Sequence, residues 1–511
     1  MGISNKSEFF LNSEKEVFNK YLIPLIFLLL LIICFNFLAN IFNSINSPFD
    51  PDEWQHLHIA WNVFNGKIIY KDFFEHHGCV YPFLNSAIFT IFNLKPDLQT
   101  ISIIRDTNLI YSLLILFLTY AIAKEISGSF ITSILSVTLL SCLIFYQDTT
   151  IQIRPDGLQN VFWLVGTLMI VKNINFERYF LSFGGGFFIS LSVLTNSKAL
   201  VGPASIILYF ILLLAFKINN KKIIIKNCIY FIIGFCVPYI IISIYFILNH
   251  AFGNFLFFNY EFNVVAAFEY SSKHVKEYIK FFGKNETLFY LFSLIGIIYF
   301  IIAFKKGKSI IYRNNKHFFL LVITLVTCSG ALIGLYSQFY LIFLPLLSII
   351  VSILIINIFR YLENKNAAYK LGYTIIVLLL FIQILNSKIN NTYFTSSKEI
   401  IQQKEQIDYM LTNTKRSEPI LFIWCKWGGY VFNSDLQFFW FENENFKSYY
   451  KKICGYDVYG DSLIKKLREK NVKYIIGYQN KISSILSKNA YDYVMRNYRK
   501  CQNYDGLWIR I

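Results

Sequence analysis

The chain has 511 residues, of which 55% are hydrophobic, 19% aromatic and only 15% charged. An ordinary soluble protein carries about 25% charged residues, so the composition excludes that class and points to an α-helical polytopic membrane protein. The formal net charge of +17 does not mark a nucleic-acid binder, because no basic patch with interleaved aromatics accompanies it.

Apolar runs of spanning length recur, and a bilayer core takes about 20 apolar residues per helix. Spans are expected near 21–42, 104–124, 128–146, 156–172, 179–194, 200–216, 228–249, 286–304, 317–336, 339–359 and 371–387, about eleven in all. The first is too long, and its flank too mixed in charge, for a cleaved signal peptide. With the amino terminus inside, the cytoplasmic turns carry Lys124, then Lys172 and Arg178, then Lys217, Lys221, Lys222 and Lys226. Lys305, Lys306, Lys308, Arg313 and Lys316 follow, then Arg360, Lys365 and Lys370. This alternation obeys the positive-inside rule, so the basic balance is mostly topology. Lys273, Lys276, Lys280 and Lys284 depart from it in an external segment long enough to tolerate them.

The first external loop, 43–103, holds the densest chemistry. Phe49 to Pro82 contains Asp50, Asp52, Glu53, Asp72 and Glu75, with His56, His58, His76 and His77, four of the seven histidines in the chain. A connector between two spans needs no such concentration, which reads as the roof of an active site at the membrane surface. Asp52 and Glu53 either cap a short interfacial helix over EWQHLHIAWNVF, whose apolar stripe is Leu57, Ala60, Trp61 and Phe64, or carry chemistry. Capping and catalysis are compatible. Trp54, Trp61, Tyr70 and Tyr81 are the external aromatics suited to stacking on sugars.

Further polar groups stand at external span ends. In TTIQIRPDGLQN, Pro155 and Asp156 suit a helix start, or Arg154 and Asp156 face the acidic loop from below. Lys198 either snorkels to the interface or binds an anionic phosphate. Gln338 and Tyr340, in SQFYLIFLP, are interfacial residues or part of the site.

An odd number of spans places the tail outside. Residues 388–511 are richer in Lys, Glu, Asn and Tyr, with strand-like runs at Ile420–Trp424 and Val472–Gly477 and a helix-like Leu463–Lys470. They are expected to form an extracytoplasmic α/β domain behind a membrane domain of residues 1–387. Its WCKWGGYVF segment (Trp424–Phe432) includes a WGG turn. Of nine cysteines, Cys34, Cys142, Cys228, Cys236 and Cys328 lie in expected spans as small apolar residues. No C-x-x-C suggests structural zinc, and one disulfide among Cys425, Cys454 and Cys501 would suit an oxidising compartment.

In order, the chain presents Asp52–Glu53, then G-x-x-x-Y-x-D (Gly66–Asp72), then His77, Gly78 and Pro82. RPDG before the fourth span and Q-x-Y-x-x-x-x-P (Gln338–Pro345) complete the series. Over roughly residues 20–390 this resembles the GT-C superfamily of polytopic glycosyltransferases. It is most similar to the bacterial branch of dolichyl-phosphate-mannose protein mannosyltransferases and lipid A aminoarabinose transferases.

The resemblance implies inverting transfer of a sugar from a polyprenyl-phosphate donor to an extracytoplasmic acceptor, in a bacterial inner membrane with the site facing the periplasm or exterior. It assigns Asp52 as the base that deprotonates the acceptor hydroxyl, with Glu53 and Asp156 beside it. Arg154 and Lys198 would meet the lipid phosphate as negative charge develops. A divalent metal ion near that phosphate would be held by Glu75, with His76 or His77, and by His250. The pattern departs from the aminoarabinose branch, with His-His-Gly where that branch has Lys-Pro-Pro, and the alternative to metal binding is that His76 and His77 hydrogen-bond the acceptor or phosphate directly.

A transporter or flippase is the alternative, but it would place ionisable residues near mid-span and show paired repeats. A polysaccharide polymerase would put its cations in a large late external loop, and oligosaccharide transfer to Asn would bring a WWD-type motif to the external domain.

Overall fold

The structure, a computed structural model, describes residues 19–47, 49–174, 178–218, 220–264, 286–306, 315–334, 337–363, 397–415, 418–423, 457–502 and 506–511, with a few isolated positions besides. The membrane part begins with α1 (Asn19–Asn46), α2 (Pro51–Phe64), α3 (Val80–Phe92), α4 (Leu98–Ser127), α5 (Phe130–Cys142) and α6 (Ile144–Ile151). It continues through α7 (Pro155–Asn173), α8 (Tyr179–Thr195), α9 (Val201–Ala215), α10 (Lys221–Leu248), α11 (Phe252–Leu256), α12 (Thr287–Lys306), α13 (Asn315–Gly334) and α14 (Leu344–Glu363).

Each expected span meets a helix except that near 371–387, which lies almost wholly outside the described residues. Among the described residues, five helices are long and apolar enough to cross a bilayer, six if α5 and α6 count as one. The other expected spans fall on α7 and on the shorter apolar helices α8, α12 and α13. Asp156, Gln159, Asn160 and Thr167 make α7 less apolar, and all four are buried in the bundle.

The span expected over 128–146 is broken. The axes of α5 and α6 meet at 70°, with Leu143 extended between them. The break is stapled on both sides. Oε1 of buried Glu286 accepts the Ile144 N–H at 2.5 Å, and the Gln147 amide donates to the Ser141 carbonyl at 2.6 Å. Each satisfies a backbone group that the interrupted helix leaves open. The bend redirects the chain into α6, whose end leads into Arg154.

Helix α8 lies very close to α10. A Cβ on Gly234 would come within 1.9 Å of the Phe183 carbonyl oxygen, and one on Gly186 within 2.0 Å of that of Phe231. Small residues permit this approach in membrane bundles.

In the tail, α15 (Ser397–Asn413) precedes β1 (Ile420–Phe422), and α16 (Asp461–Glu469) precedes β2 (Tyr474–Ile476). After α17 (Gln479–Ile485) and α18 (Lys488–Asn497) come β3 (Tyr498–Lys500) and β4 (Leu507–Arg510). The sheet order is β1-β2-β4-β3, with β1 and β2 parallel and the other pairs antiparallel. The strands fall on both expected runs, and α16 buries Leu463 and Leu467. Trp424–Phe432, Cys425, Cys454 and Lys273–Lys284 lie outside the described residues, and Cys501 carries a free thiol.

Candidate active site

The stretch 43–103 is mostly folded helix and ordered turn. Helix α2 starts with a capping box. Asp50 is the N-cap and accepts the Asp52 N–H at 2.8 Å, Pro51 occupies the first turn, and Oε2 of Glu53 accepts the Asp50 N–H at 2.9 Å. The cap is therefore Asp50, which leaves the Asp52 side chain outside the box, 38% exposed.

Glu53 is enclosed. Its oxygens accept from Arg105 Nε at 2.8 Å and Nη2 at 2.6 Å in a bidentate pair, and from the Ile153 N–H at 3.0 Å. Arg105 also donates to the carbonyls of Ser44 and Ser47, and lies 4.6 Å from the Phe49 ring centroid. This buried pair ties α1, α2, α4 and the approach to α7 together. Arg105 carries a signal in sequence: an arginine at a span end demands a carboxylate partner.

Arg154, nearly buried, stands among three carboxylates. Its Nη1 is 3.0 Å from Asp52 Oδ2 and 4.0 Å from Asp50 Oδ1, and its Nε is 3.5 Å from Asp156 Oδ2. Asp156 is buried and reaches Lys198 Nζ at 3.9 Å and the Asn196 amide at 3.3 Å through Oδ1. So the structure brings Asp52, Arg154, Asp156 and Lys198 into one chain of alternating charge. Burial works against the Arg154 charge, yet Asp52, Asp156 and Asp50 together push its pKa above the ordinary value. Burial, then the neighbouring Asp52, raises the Asp50 carboxyl, opposed by Arg154.

The motif from Gly66 to Gly78 is a built turn. Gly66 and Tyr70 both take positive φ, 82° and 67°. Asp72 accepts the Ile68 N–H at 2.6 Å, and the Tyr70 hydroxyl donates to the His77 carbonyl at 2.5 Å. Buried Glu75 accepts through Oε1 from the His76 N–H at 2.9 Å, the His77 N–H at 2.6 Å and His77 Nδ1 at 2.6 Å. A Cβ on Gly78 would fall 1.9 Å from the Leu194 carbonyl oxygen, so the turn sits directly on the end of α8. Gly78→Ala is therefore expected to displace the histidines and to lower the activity proposed below by about 10²-fold; comparing its turnover and thermal midpoint with wild type checks this.

Glu75, His76 and His77 offer ligand atoms all within 4.8 Å of one another. Oε2 of Glu75 is buried with no hydrogen-bond partner among the described residues. One carboxylate with two imidazoles fits a divalent metal ion. His250 is not in that group; it is exposed at the end of α10 with φ 54°. His56, in contrast, packs its ring 4.9 Å from that of His77. Burial, and next the charge of His77, holds His56 well below the usual imidazole range, while Glu75, Arg154 and Asp52 all act on it. It stands between the histidine turn and the Arg154 chain.

Tyr340 is buried in the 3-10 turn Ser337–Ile342, with its ring 5.0 Å from Phe145 of α6. Gln338 shares the turn's backbone.

No protein-family model and no curated protein matches the sequence. Solved structures do match in shape. An oligosaccharyltransferase of Archaeoglobus fulgidus, in complex with Zn and sulfate, superposes with a TM-score of 0.62 at 12% identity, covering 91% of this chain and 71% of its own. The same organism's oligosaccharyltransferase AglB, with an inhibitory peptide and a dolichol-phosphate, gives 0.60 at 11% identity over 97% and 75%. ArnT from Cupriavidus metallidurans, bound to undecaprenyl phosphate, gives 0.55 at 11% identity over 79% and 84%. The chain has the GT-C fold. Within this GT-C frame the Arg154 chain and the histidine turn adjoin, at the ends of α2, α6 and α8.

Proposed function

We propose that the protein is a membrane glycosyltransferase that moves a sugar from a polyprenyl-phosphate donor to an extracytoplasmic acceptor, a protein or a cell-envelope glycan or lipid, with inversion. The observation that carries this reading is Arg154, nearly buried at 3.0 Å from the half-exposed Asp52 and 3.5 Å from Asp156. A cation held by fixed carboxylates meets a lipid phosphate without reorganising. The half-exposed carboxylate beside it is open to an acceptor hydroxyl.

In the proposed step the acceptor oxygen attacks the anomeric carbon from the face opposite the phosphate. Its proton passes to Asp52, and the carbon–oxygen bond to the phosphate breaks. The lipid leaves as a phosphate monoester with one more negative charge, which Arg154 and Lys198 offset. Glu53, saturated by Arg105 and backbone N–H groups, positions the start of α2 and takes no proton. A divalent metal held by Glu75, His76 and His77 would add Lewis-acid neutralisation of the phosphate. The apolar helices suit a bilayer carrier, with the site on the periplasmic side of a bacterial inner membrane.

The test uses purified protein in lipid, a panel of polyprenyl-phosphate sugars and a cell-envelope extract as acceptor, with release of lipid phosphate as the readout. Wild type is expected to release it, and Asp52→Asn, folded, to do so about 10²–10⁴-fold more slowly. Unchanged turnover in the variant would remove Asp52 as the base. No release with any donor, together with lipid movement across vesicles, would turn the reading to a flippase.

A further inference from the structure

The chain leaves α10 and returns along the site as an arm, through α11 and a π-helical turn at Phe257–Glu261. Such turns are rare and gather at functional sites. The arm grips the loop of the histidine turn at several points. Lys71 Nζ donates to the Asn249 carbonyl at 2.9 Å, and the Asn254 amide to the Tyr70 carbonyl at 3.0 Å. Further along the arm the Asn263 amide nitrogen is 2.5 Å from the His76 carbonyl, 3.0 Å from Ser197 Oγ and 2.9 Å from the Asn259 carbonyl.

Two of those acceptors are carbonyls, which cannot donate, so the nitrogen and not the oxygen of the amide must face them. Its two N–H groups serve three acceptors from three separate segments. One is the backbone carbonyl of His76, the residue between Glu75 and His77 in sequence, and another belongs to the residue preceding Lys198.

We propose that Asn263 is a positioning residue that locks the histidine turn to the Lys198 turn, setting the spacing of the two charged clusters across the sugar-phosphate site. This rests on the glycosyltransferase reading. The clusters lie on segments that are far apart in sequence: Glu75 is held by its own turn, Lys198 faces Asp156 of α7, and Gly78 packs the histidine turn on the end of α8. Asn263 joins them through the backbone of one and the side chain of the other. Its effect therefore falls on geometry and leaves the charge of either cluster unchanged.

Asn263→Asp keeps the size of the side chain but sets an oxygen against the His76 carbonyl, so a packing role would survive it and a donor role would not. Full-length wild type and N263D in lipid nanodiscs are compared by hydrogen–deuterium exchange and by donor-saturated turnover. Amide exchange over 74–79 and 196–200 is expected to rise together in N263D, while the rest of the chain exchanges as in wild type. With it, kcat should fall by about 10- to 100-fold, the donor KM changing much less. Any result in which the two segments do not loosen together, or in which they loosen with kcat unchanged, overturns the proposal. Should wild type itself transfer no sugar, the proposed function fails, and the exchange data alone still decide whether Asn263 couples the two turns.

Discussion

Arg154→Gln is expected to lower lipid-phosphate release by about 10²–10³-fold at saturating donor, the usual effect of removing one preorganised charge donor from a developing oxyanion. The neutral side chain no longer meets the phosphate, and it leaves Asp50, Asp52 and Asp156 facing one another without the cation that now lies within 4.0 Å of all three. Arg154→Lys keeps the charge but not the planar fork that reaches Asp52 and Asp156 at once, so it should recover only part of the rate. The measurement is turnover of both variants against wild type, with thermal midpoints recorded alongside. Wild-type turnover in Arg154→Gln would show that another cation meets the leaving group.

Glu53→Ala should act on folding first. The Glu53 and Arg105 side chains are 1% and 5% exposed and joined by a bidentate contact. Truncating the carboxylate strands a buried guanidinium and frees the N–H groups of Asp50 and Ile153. Breaking such a pair costs about 3–5 kcal/mol, enough to remove much of the stability of an ordinary fold. The expected result is poor recovery of folded protein and a strongly lowered thermal midpoint. The double variant Glu53→Leu with Arg105→Met should recover most of the loss, since an apolar pair of similar volume leaves no buried charge, the remainder being the Asp50 and Ile153 N–H groups that lose their acceptor. If the single variant folds like wild type, Glu53 is not the brace of α2. The contrast with Asp52 matters: adjacent carboxylates in one motif have opposite fates, one locked into the scaffold and one left open beside Arg154.

Much of the architecture was legible because membrane helices announce themselves locally. A run of about 20 apolar residues is a property of consecutive positions, as is a helix start close to Asp52, although the structure moves the cap itself to Asp50. The short helix after Asp50, the strand-like runs of the tail and the candidate charges Asp52, Arg154, Asp156 and Lys198 follow from such patterns. The break between α5 and α6 was not legible, because it depends on Glu286, 142 residues away from Ile144. Nor was the place of His250, which a sequence argument sets beside Glu75 and the fold leaves exposed at the end of α10.

By itself, then, the sequence determined the class of the protein, the helical membrane body and the inventory of charged groups at its helix ends, since hydrophobic length and cap chemistry act between near neighbours in the chain. Only the tertiary structure decided which of those groups pair. Arg105 finds Glu53 across 52 residues and Asn263 reaches His76 across 187. A buried charge in a membrane protein takes whichever partner the packing of helices brings within about 3 Å, and no local pattern records that choice.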